Sequence, residues 1–401
     1  MSKFQAAGDT GAVKTPQDTL RRKNLDRLFT TASIAVVGAS QDTSKAGSQA
    51  LRTLATYSGK VVCVHPRESE IRGYPCYPSF ADIPEPVDMA LLAIPAKFCV
   101  PAAAEAAAAG VGGILIVSGG FGEIGEEGAA LEAQLKEICQ TTGLRMIGPN
   151  TSGFVNPTAG CIASFVPGVE GIKSGKIAVL SQSGGVNLSV SYLLDNVAEG
   201  VSIAAGLGNA ADIDAADMLE LLADDDNTAT IALHLEGVSN GRALYKALRR
   251  VTPAKPVVAV VAGKADIGDF AVSHTGNLMG SRDRTVAALI QGGAVVVATH
   301  DDMVQAAAVL SRCRLAPKKK SAVALITGQA GPGLLITDAL KDAGISMPEL
   351  GAPALERIGS LLPPMTYIKN PVDTGRPGPQ FPDVVQATAE DPAIDAILVF
   401  G

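Results

Sequence analysis

At 401 residues the chain is long enough for two or three domains, each able to bury a core of its own. A net charge of -7 excludes a nucleic-acid surface, which needs clustered Lys and Arg, and leaves Arg21-Arg22-Lys23 and Lys318-Lys319-Lys320 as solvated linkers. No signal peptide opens the chain and no apolar run reaches the ~18 residues of a membrane span, so the expectation is a cytoplasmic protein with no membrane partner.

Apolar residues make up 47% and aromatics only 4%, so the apolar content is mostly Ala, Val, Ile and Leu. With 43 Gly and 24 Pro, this mixture suits buried parallel strands joined through Gly-rich turns. The six cysteines, Cys63, Cys76, Cys99, Cys139, Cys161 and Cys313, have no metal or redox spacing and read as reduced thiols.

Residues 1–24 are polar and without periodicity, which predicts a flexible tail. Asn24 to Phe29 reads as a short helix docking its apolar side, and Ser33 to Val37 as a buried strand running into Gly38-Ala39-Ser40. Helical spacing from Gly47 to Tyr57 leads to a second strand, Lys60 to Val64, ending at His65-Pro66-Arg67. Met89 to Ile94 and Gly113 to Val117 are further strands, with the Ala-rich helix Val100 to Ala109 between them. Strands alternating with helices at this interval imply a parallel sheet with right-handed crossovers, and a Rossmann-like domain over residues 25–150.

Arg145-Met146-Ile147 leads to Gly148-Pro149-Asn150, and the 150s and 160s read as an extended crossover. A second α/β unit, residues 151–315, opens with Lys176 to Leu180 and the loop Ser181-Gln182-Ser183-Gly184-Gly185. Its later strands are Val201 to Ala204, Thr230 to Leu233 and Pro256 to Val261. Leu315 to Lys320 is a linker, and a third unit, residues 321–401, opens with Ala322 to Ile326 and the loop Thr327 to Gly333. These Gly-bearing loops recur at nearly equal intervals, which predicts tandem α/β domains of similar size. The last one reads as incomplete, because a buried strand, Ile397 to Phe400, has no covering helix after it, and a longer polypeptide is expected.

In an open parallel sheet, ligands collect at the carboxyl ends of strands. Gly38-Ala39-Ser40 with Lys45 and Gly47 fits that place, either as a phosphate cradle or as a plain turn, since it lacks the second Gly of G-x-G-x-x-G. After the second strand a dehydrogenase would carry an acid for the ribose; Arg67 suits a phosphorylated ribose instead, as in coenzyme A or NADP. Ser181 to Gly185 is a stronger anion cradle, two hydroxyls and two glycines before a helical stretch, though such loops also serve as turns. Gly206-Leu207-Gly208-Asn209 ends the next strand and would lie beside it.

His274, one of four histidines, stands in Ser273-His274-Thr275-Gly276 among small polar residues. Neither metal-ligand spacing nor a G-x-S-x-G elbow accompanies it. Covalent catalysis by the ring itself remains, and needs an acceptor on the other ring nitrogen. Glu236, at the end of the Thr230 strand, is the candidate, against the plainer reading of a surface acid.

Together these motifs, with Ile94-Pro95-Ala96, Ser118-Gly119-Gly120-Phe121, Gly148-Pro149-Asn150, Gly208-Asn209 with Asp212, and Leu235-Glu236-Gly237, resemble the NDP-forming acyl-CoA synthetases, relatives of the succinyl-CoA synthetase α subunit. The resemblance runs from about Asn24 to Gly401. It implies a Rossmann-like domain binding coenzyme A near Gly38, Ala39, Ser40, Lys45, Arg67, Pro95, Ser118, Gly119 and Gly120, followed by flavodoxin-like domains. It implies that His274 is phosphorylated, that Glu236 steadies the ring, and that Ser181, Ser183, Gly184, Gly185, Asn209, Thr275 and Gly276 hold the phosphoryl group. The expected reaction joins a small carboxylic acid to CoA as ATP becomes ADP and phosphate. Nothing in the chain resembles an ATP-grasp module, so ATP and Mg2+ are expected on a separate β subunit or a downstream fused domain, within an oligomer. Two other readings are a CoA-sensing module attached to another enzyme and an NADP-dependent oxidoreductase. Lys264 stands where the family usually has Arg, and Gly119 where it usually has Ala.

Overall fold

A computed structural model describes residues 15–263, 282–315, 318 and 320–401. They fall into two compact units that divide after Arg312.

In the first unit, one sheet runs from edge to edge as Glu70–Ile71, Tyr74–Tyr77, Lys60–Val64, Ser33–Val37, Met89–Leu92, Gly113–Ile116 and Arg145–Ile147. All its pairs are parallel except the hairpin between Glu70–Ile71 and Tyr74–Tyr77. The chain therefore works outward from Ser33–Val37 in one direction, then returns to start the other half at Met89–Leu92, which is the Rossmann order. Val, Ile and Leu fill these strands without alternation because helices cover both faces; Met89–Leu92 and Gly113–Ile116 are buried throughout. Glycine brings the helix Ala46–Thr53 onto the end of the first strand: a Cβ on Gly47 would lie 2.0 Å from the Gly38 carbonyl oxygen. Gly38 itself has a φ of +87°, which an L side chain rarely adopts.

The opening helix spans Pro16–Phe29, so it starts where the sequence reading places a loose tail. Thr15 and Asp18 cap its start reciprocally, and Leu25, Leu28 and Phe29 are buried.

The second sheet runs Val295–Val296, Val257–Val261, Thr230–Leu235, Ser174–Ser181, Val201–Gly206, Phe154–Asn156 and Cys161–Ala163. Its first five strands are parallel in the flavodoxin-like order. The last two are antiparallel additions built from what the sequence reading has as an extended crossover.

The two sheets share a core. Ile34, Leu91, Leu115 and Ile147 of the first belong to the same apolar cluster as Leu180, Ile203 and Leu233 of the second. A buried ionic link crosses the same boundary. Arg145 Nε meets Asp212 at 2.8 Å with the two side chains 3% and 4% exposed, and Arg21 reaches the other Asp212 oxygen at 2.5 Å. Arg145 also contacts Asp217 at 2.8 Å, and the Met146 N–H donates to Asp212 at 2.8 Å. Asp212, noted in the sequence as part of a motif, thus fastens the two halves.

The second unit has a three-stranded parallel sheet, Val372–Asp373, Val323–Thr327 and Ala396–Phe400, with helices Ala330–Asp342, Ala352–Leu361 and Phe381–Ala389. Ala324, Ile326, Leu350, Ile358, Val372 and Val384 form its core. The strand Ala396–Phe400 forms as expected, but it is an edge strand and not a buried one: Leu398, Val399 and Phe400 are 42%, 53% and 41% exposed.

Candidate functional site

Ser174–Ser181 is the first strand of the second parallel sheet, and its neighbours are the next two in sequence. Ser181 stands in register with Gly206 on one side and His234 on the other. The connections leave in opposite directions at this point, opening a crevice at the carboxyl ends of the strands. The helix Gly184–Asn196 starts there, with Ser183 as its cap: Ser183 Oγ accepts from the Val186 N–H at 3.4 Å. The N–H groups of a first helical turn lack intrahelical partners and favour an anion.

Ser183, Gly184, Gly185, Gln182, Glu236 and Asn209 line one open pocket of about 500 Å3, with Val117, Phe165, Val166 and Leu188 supplying apolar wall. The helix N-terminus and Glu236 thus border a common space. His274, Thr275 and Gly276 lie outside the described residues.

Ser181 is expected from the sequence among the groups that hold the phosphoryl group. It is fully buried, and its hydroxyl donates to the Ser183 carbonyl at 2.8 Å while accepting from the Ser183 N–H at 3.1 Å. It shapes the loop instead of facing the pocket. Behind it lies His234, which the sequence reading passed over, with Nδ1 3.1 Å from the same hydroxyl. Because that hydroxyl already donates to Ser183, Nδ1 must carry the proton and donate. Burial, reinforced by the neighbouring His300, pushes the His234 pKa down to about 4, so the ring is neutral at pH 7.

Gln182, quoted in the motif but given no role, is the latch. Its Oε1 accepts from the N–H groups of Glu236 at 2.6 Å and Gly237 at 3.0 Å, and its Nε2 donates to the Gly237 carbonyl at 2.8 Å. The position of Glu236 is thereby tied to the loop that opens the helix.

The residues expected near coenzyme A gather at the same end of the first sheet. Gly38, Ala39 and Ser40 follow Ser33–Val37, Arg67 follows Lys60–Val64, Pro95 follows Met89–Leu92, and Ser118, Gly119 and Gly120 follow Gly113–Ile116. Lys45 is exposed and precedes the helix Ala46–Thr53, and Pro95 precedes Ala96–Ala108. Ser40 Oγ accepts from the Asp42 N–H at 3.1 Å, and Ser118 Oγ donates to the Ile94 carbonyl at 2.6 Å.

Asn209 is placed at the junction, although not with a free amide. Its Nδ2 donates to Glu123 and Glu132, each at 2.8 Å, and its backbone N–H to the Pro149 carbonyl at 2.9 Å. In this arrangement both amide hydrogens and the backbone N–H of Asn209 are taken by protein acceptors. Neither glutamate was singled out by sequence reasoning; Glu123, two residues past Phe121 of a quoted motif, was the one within reach.

Among the described residues, no group of three or more His, Cys, Asp or Glu side chains could hold a metal ion, and no helix is long and apolar enough to cross a membrane.

Residues 32–157 match the model of a CoA binding domain, 174–310 that of the succinyl-CoA ligase like flavodoxin domain, and 323–401 that of a ligase-CoA domain. The chain is 38% identical over 379 residues to the acetate–CoA ligase [ADP-forming] II subunit alpha of Pyrococcus furiosus, covering 93% of this chain and 81% of that one. It is 35% identical to the acetate–CoA ligase [ADP-forming] I of Archaeoglobus fulgidus, covering 93% of this chain but 54% of that longer one. Among solved structures, the dinucleotide forming acetyl-coenzyme A synthetase 1 of Ca. Korarchaeum cryptofilum, in complex with phosphate and ADP, superposes with a TM-score of 0.86 at 31% identity, over 94% of this chain and 82% of that one.

Proposed function

Given that the chain belongs to the family of ADP-forming acyl-CoA ligases, in the manner of their α subunits, we propose that it joins a small carboxylic acid to coenzyme A through a phosphohistidine at His274. Coenzyme A is held at the carboxyl ends of the first sheet by Gly38 to Ser40, Lys45, Arg67, Pro95 and Ser118 to Gly120. The phosphoryl group is held on the second sheet by the helix N-terminus at Ser183, Gly184 and Gly185, with Thr275 and Gly276 beside the ring.

The imidazole nitrogen of His274 attacks the γ-phosphorus of ATP; the N–P bond forms as the bond to ADP breaks. A carboxylate oxygen of the acid then takes the phosphoryl group, breaking N–P and giving an acyl phosphate. The CoA sulfur attacks the acyl carbon, C–S forms, the C–O bond to phosphate breaks, and the thiol proton leaves with the phosphate. Glu236 accepts a hydrogen bond from the second ring nitrogen and stabilises the cation formed on phosphorylation. Fixed N–H groups at Ser183 to Gly185 offset the phosphate charge without reorganising. ATP and Mg2+ are bound by a nucleotide-binding partner, either a β subunit or a fused domain, within a cytoplasmic oligomer.

The observation that carries this reading is the shared pocket, which Ser183 to Gly185 at the helix N-terminus and Glu236 line together. Incubating the complete enzyme with γ-labelled ATP and Mg2+ should label His274 with an acid-labile, base-stable phosphate, and His274→Ala should lose both label and acyl-CoA formation. Normal acyl-CoA formation by the alanine variant would defeat the mechanism.

A further inference from the structure

The loop after strand Gly113–Ile116 and the loop after strand Val201–Gly206 come from different sheets, yet one side-chain amide joins them. Both hydrogens of Asn209 Nδ2 are committed, one to Glu123 Oε2 and one to Glu132 Oε2, each at 2.8 Å. Glu123 Oε1 accepts from the N–H groups of Gly120 at 2.5 Å and Phe121 at 3.2 Å. Glu132 accepts from the Gly122 N–H at 3.2 Å. Three successive N–H groups of the first-sheet loop are thus gathered by two carboxylates that hang on one residue of the second sheet. The Asn209 Oδ1 lies 3.5 Å from Asn150 Nδ2, so the crossover between the sheets reaches the same point.

The two carboxylates are not equivalent. Glu123 faces the large pocket together with Ser183, Gly184 and Glu236, whereas Glu132 faces the small cavity on the other side of Asn209. Burial pushes the Glu123 carboxyl up, but the Asn209 amide and the Gly120 and Phe121 N–H groups outweigh it and hold the group below the ordinary glutamate range. An ionised carboxylate among phosphate-binding groups would repel the phosphoryl group, and its three acceptor bonds make it a poor proton acceptor for a thiol. What it can do is fix a distance. It sets the Ser118–Gly122 loop, on the proposed coenzyme side, against the loop of Asn209, which follows the strand alongside the one that leads into the helix N-terminus at Ser183 to Gly185.

We propose that Glu123 is a positioning residue for the thioester-forming step, clamping the CoA-side loop onto Asn209 so that the thiol end of the coenzyme meets the acyl phosphate. This rests on the function proposed above for where the two ligands sit. Misplacement of a reacting group by about 1 Å costs on the order of a hundredfold in rate, and a hydrogen-bonded clamp at the junction of the sheets works against such an error.

Glu123→Gln tests it, in the complete enzyme with its nucleotide-binding partner. The variant keeps its length and an acceptor for Gly120, but turns an NH2 group toward the NH2 of Asn209. The expected result is that formation of acetyl-CoA from acetyl phosphate and CoA falls about ten- to a hundredfold, with a raised KM for CoA. ATP-dependent phosphorylation of the protein should fall at least about tenfold less, and Tm should stay within a few degrees. The variant E123Q/E132Q/N209D exchanges the donors and acceptors that join the three side chains, at the cost of the acceptor for the Gly122 N–H, and should restore part of the lost rate. Parallel loss in both half-reactions, no loss in either, or no recovery in the exchanged variant would each overturn the proposal. Failure of the unaltered enzyme to phosphorylate His274 would strike the proposed function instead, since the clamp is read from the half-reaction with CoA.

Discussion

Ser181 and Thr327 end the middle strands of two different sheets and do the same local work. Each hydroxyl donates to the carbonyl two residues on, at 2.8 Å in both, and accepts from the N–H of that residue, at 3.1 Å and 3.0 Å. A helix starts directly afterwards, at Gly184 in one and Ala330 in the other. The difference lies in the strand alongside. Next to Ser181 stands His234, with Gln182 latched across to Glu236 and Gly237. Next to Thr327 stands Thr374, whose N–H and hydroxyl bond to the Thr327 carbonyl at 2.8 Å and 3.3 Å. A hydroxyl at a strand end is therefore enough to start the turn, but the neighbouring strand decides whether the turn becomes part of a site.

The largest effect that should separate the loops comes from their glutamines. Gln182→Leu removes all three bonds of the latch, and phosphate labelling of His274 is expected to fall about a hundredfold, followed by the γ-labelled ATP assay. The place of Gln182 is taken there by Gly328, which has no side chain, and Gln329, the counterpart of Ser183, bonds only through its backbone among the described residues, so Gln329→Leu should shift stability by no more than about 0.5 kcal/mol. A smaller effect is expected from the hydroxyls. Thr327→Ala leaves a loop N–H without its acceptor, and denaturant titrations should show a loss of about 1–2 kcal/mol; Ser181→Ala also strands the His234 Nδ1–H, so its loss should be the larger. Equal losses would show that the His234 bond adds nothing to the turn.

The smallest difference is in response to pH. His234 titrates near 4 when folded, against an ordinary value of 6.5, because of burial and then His300. Between those values the unfolded chain takes up a proton that the folded one does not, so acid favours unfolding of the first unit. Stability should therefore fall as pH drops from 6.5 toward 4, by at most about 1.4 kcal/mol per pH unit from this group. Denaturant midpoints across that range should flatten in His234→Asn; an unchanged slope would remove His234 as the cause.

Much of the architecture was legible in the sequence, because parallel strands covered on both faces are written as runs such as Ile34 to Val37 and Ile114 to Val117. The helix Pro16–Phe29 was legible only over its last residues, Asn24 to Phe29; its start reads as a tail, although Thr15 and Asp18 form its cap. Phe154–Asn156 and Cys161–Ala163 were not, as short antiparallel strands depend on the exposed edge of Val201–Gly206 for their pairing. At the site, glycine and hydroxyl spacing located the loops, but spacing says nothing about which way a hydroxyl turns. Ser181 proved buried for that reason, and the Glu123, Glu132 and Asn209 contact joins residues far apart in the chain.

The Arg145 to Asp212 bond limits how this enzyme can be recombined. Cutting the chain in the crossover near residue 150 and grafting the leading piece onto a foreign successor would leave the Arg145 guanidinium sealed from water without its counterion, at about 3–5 kcal/mol. A chimaera would have to take the 212–217 segment along with the leading piece, so the smallest inheritable module here is larger than either sheet.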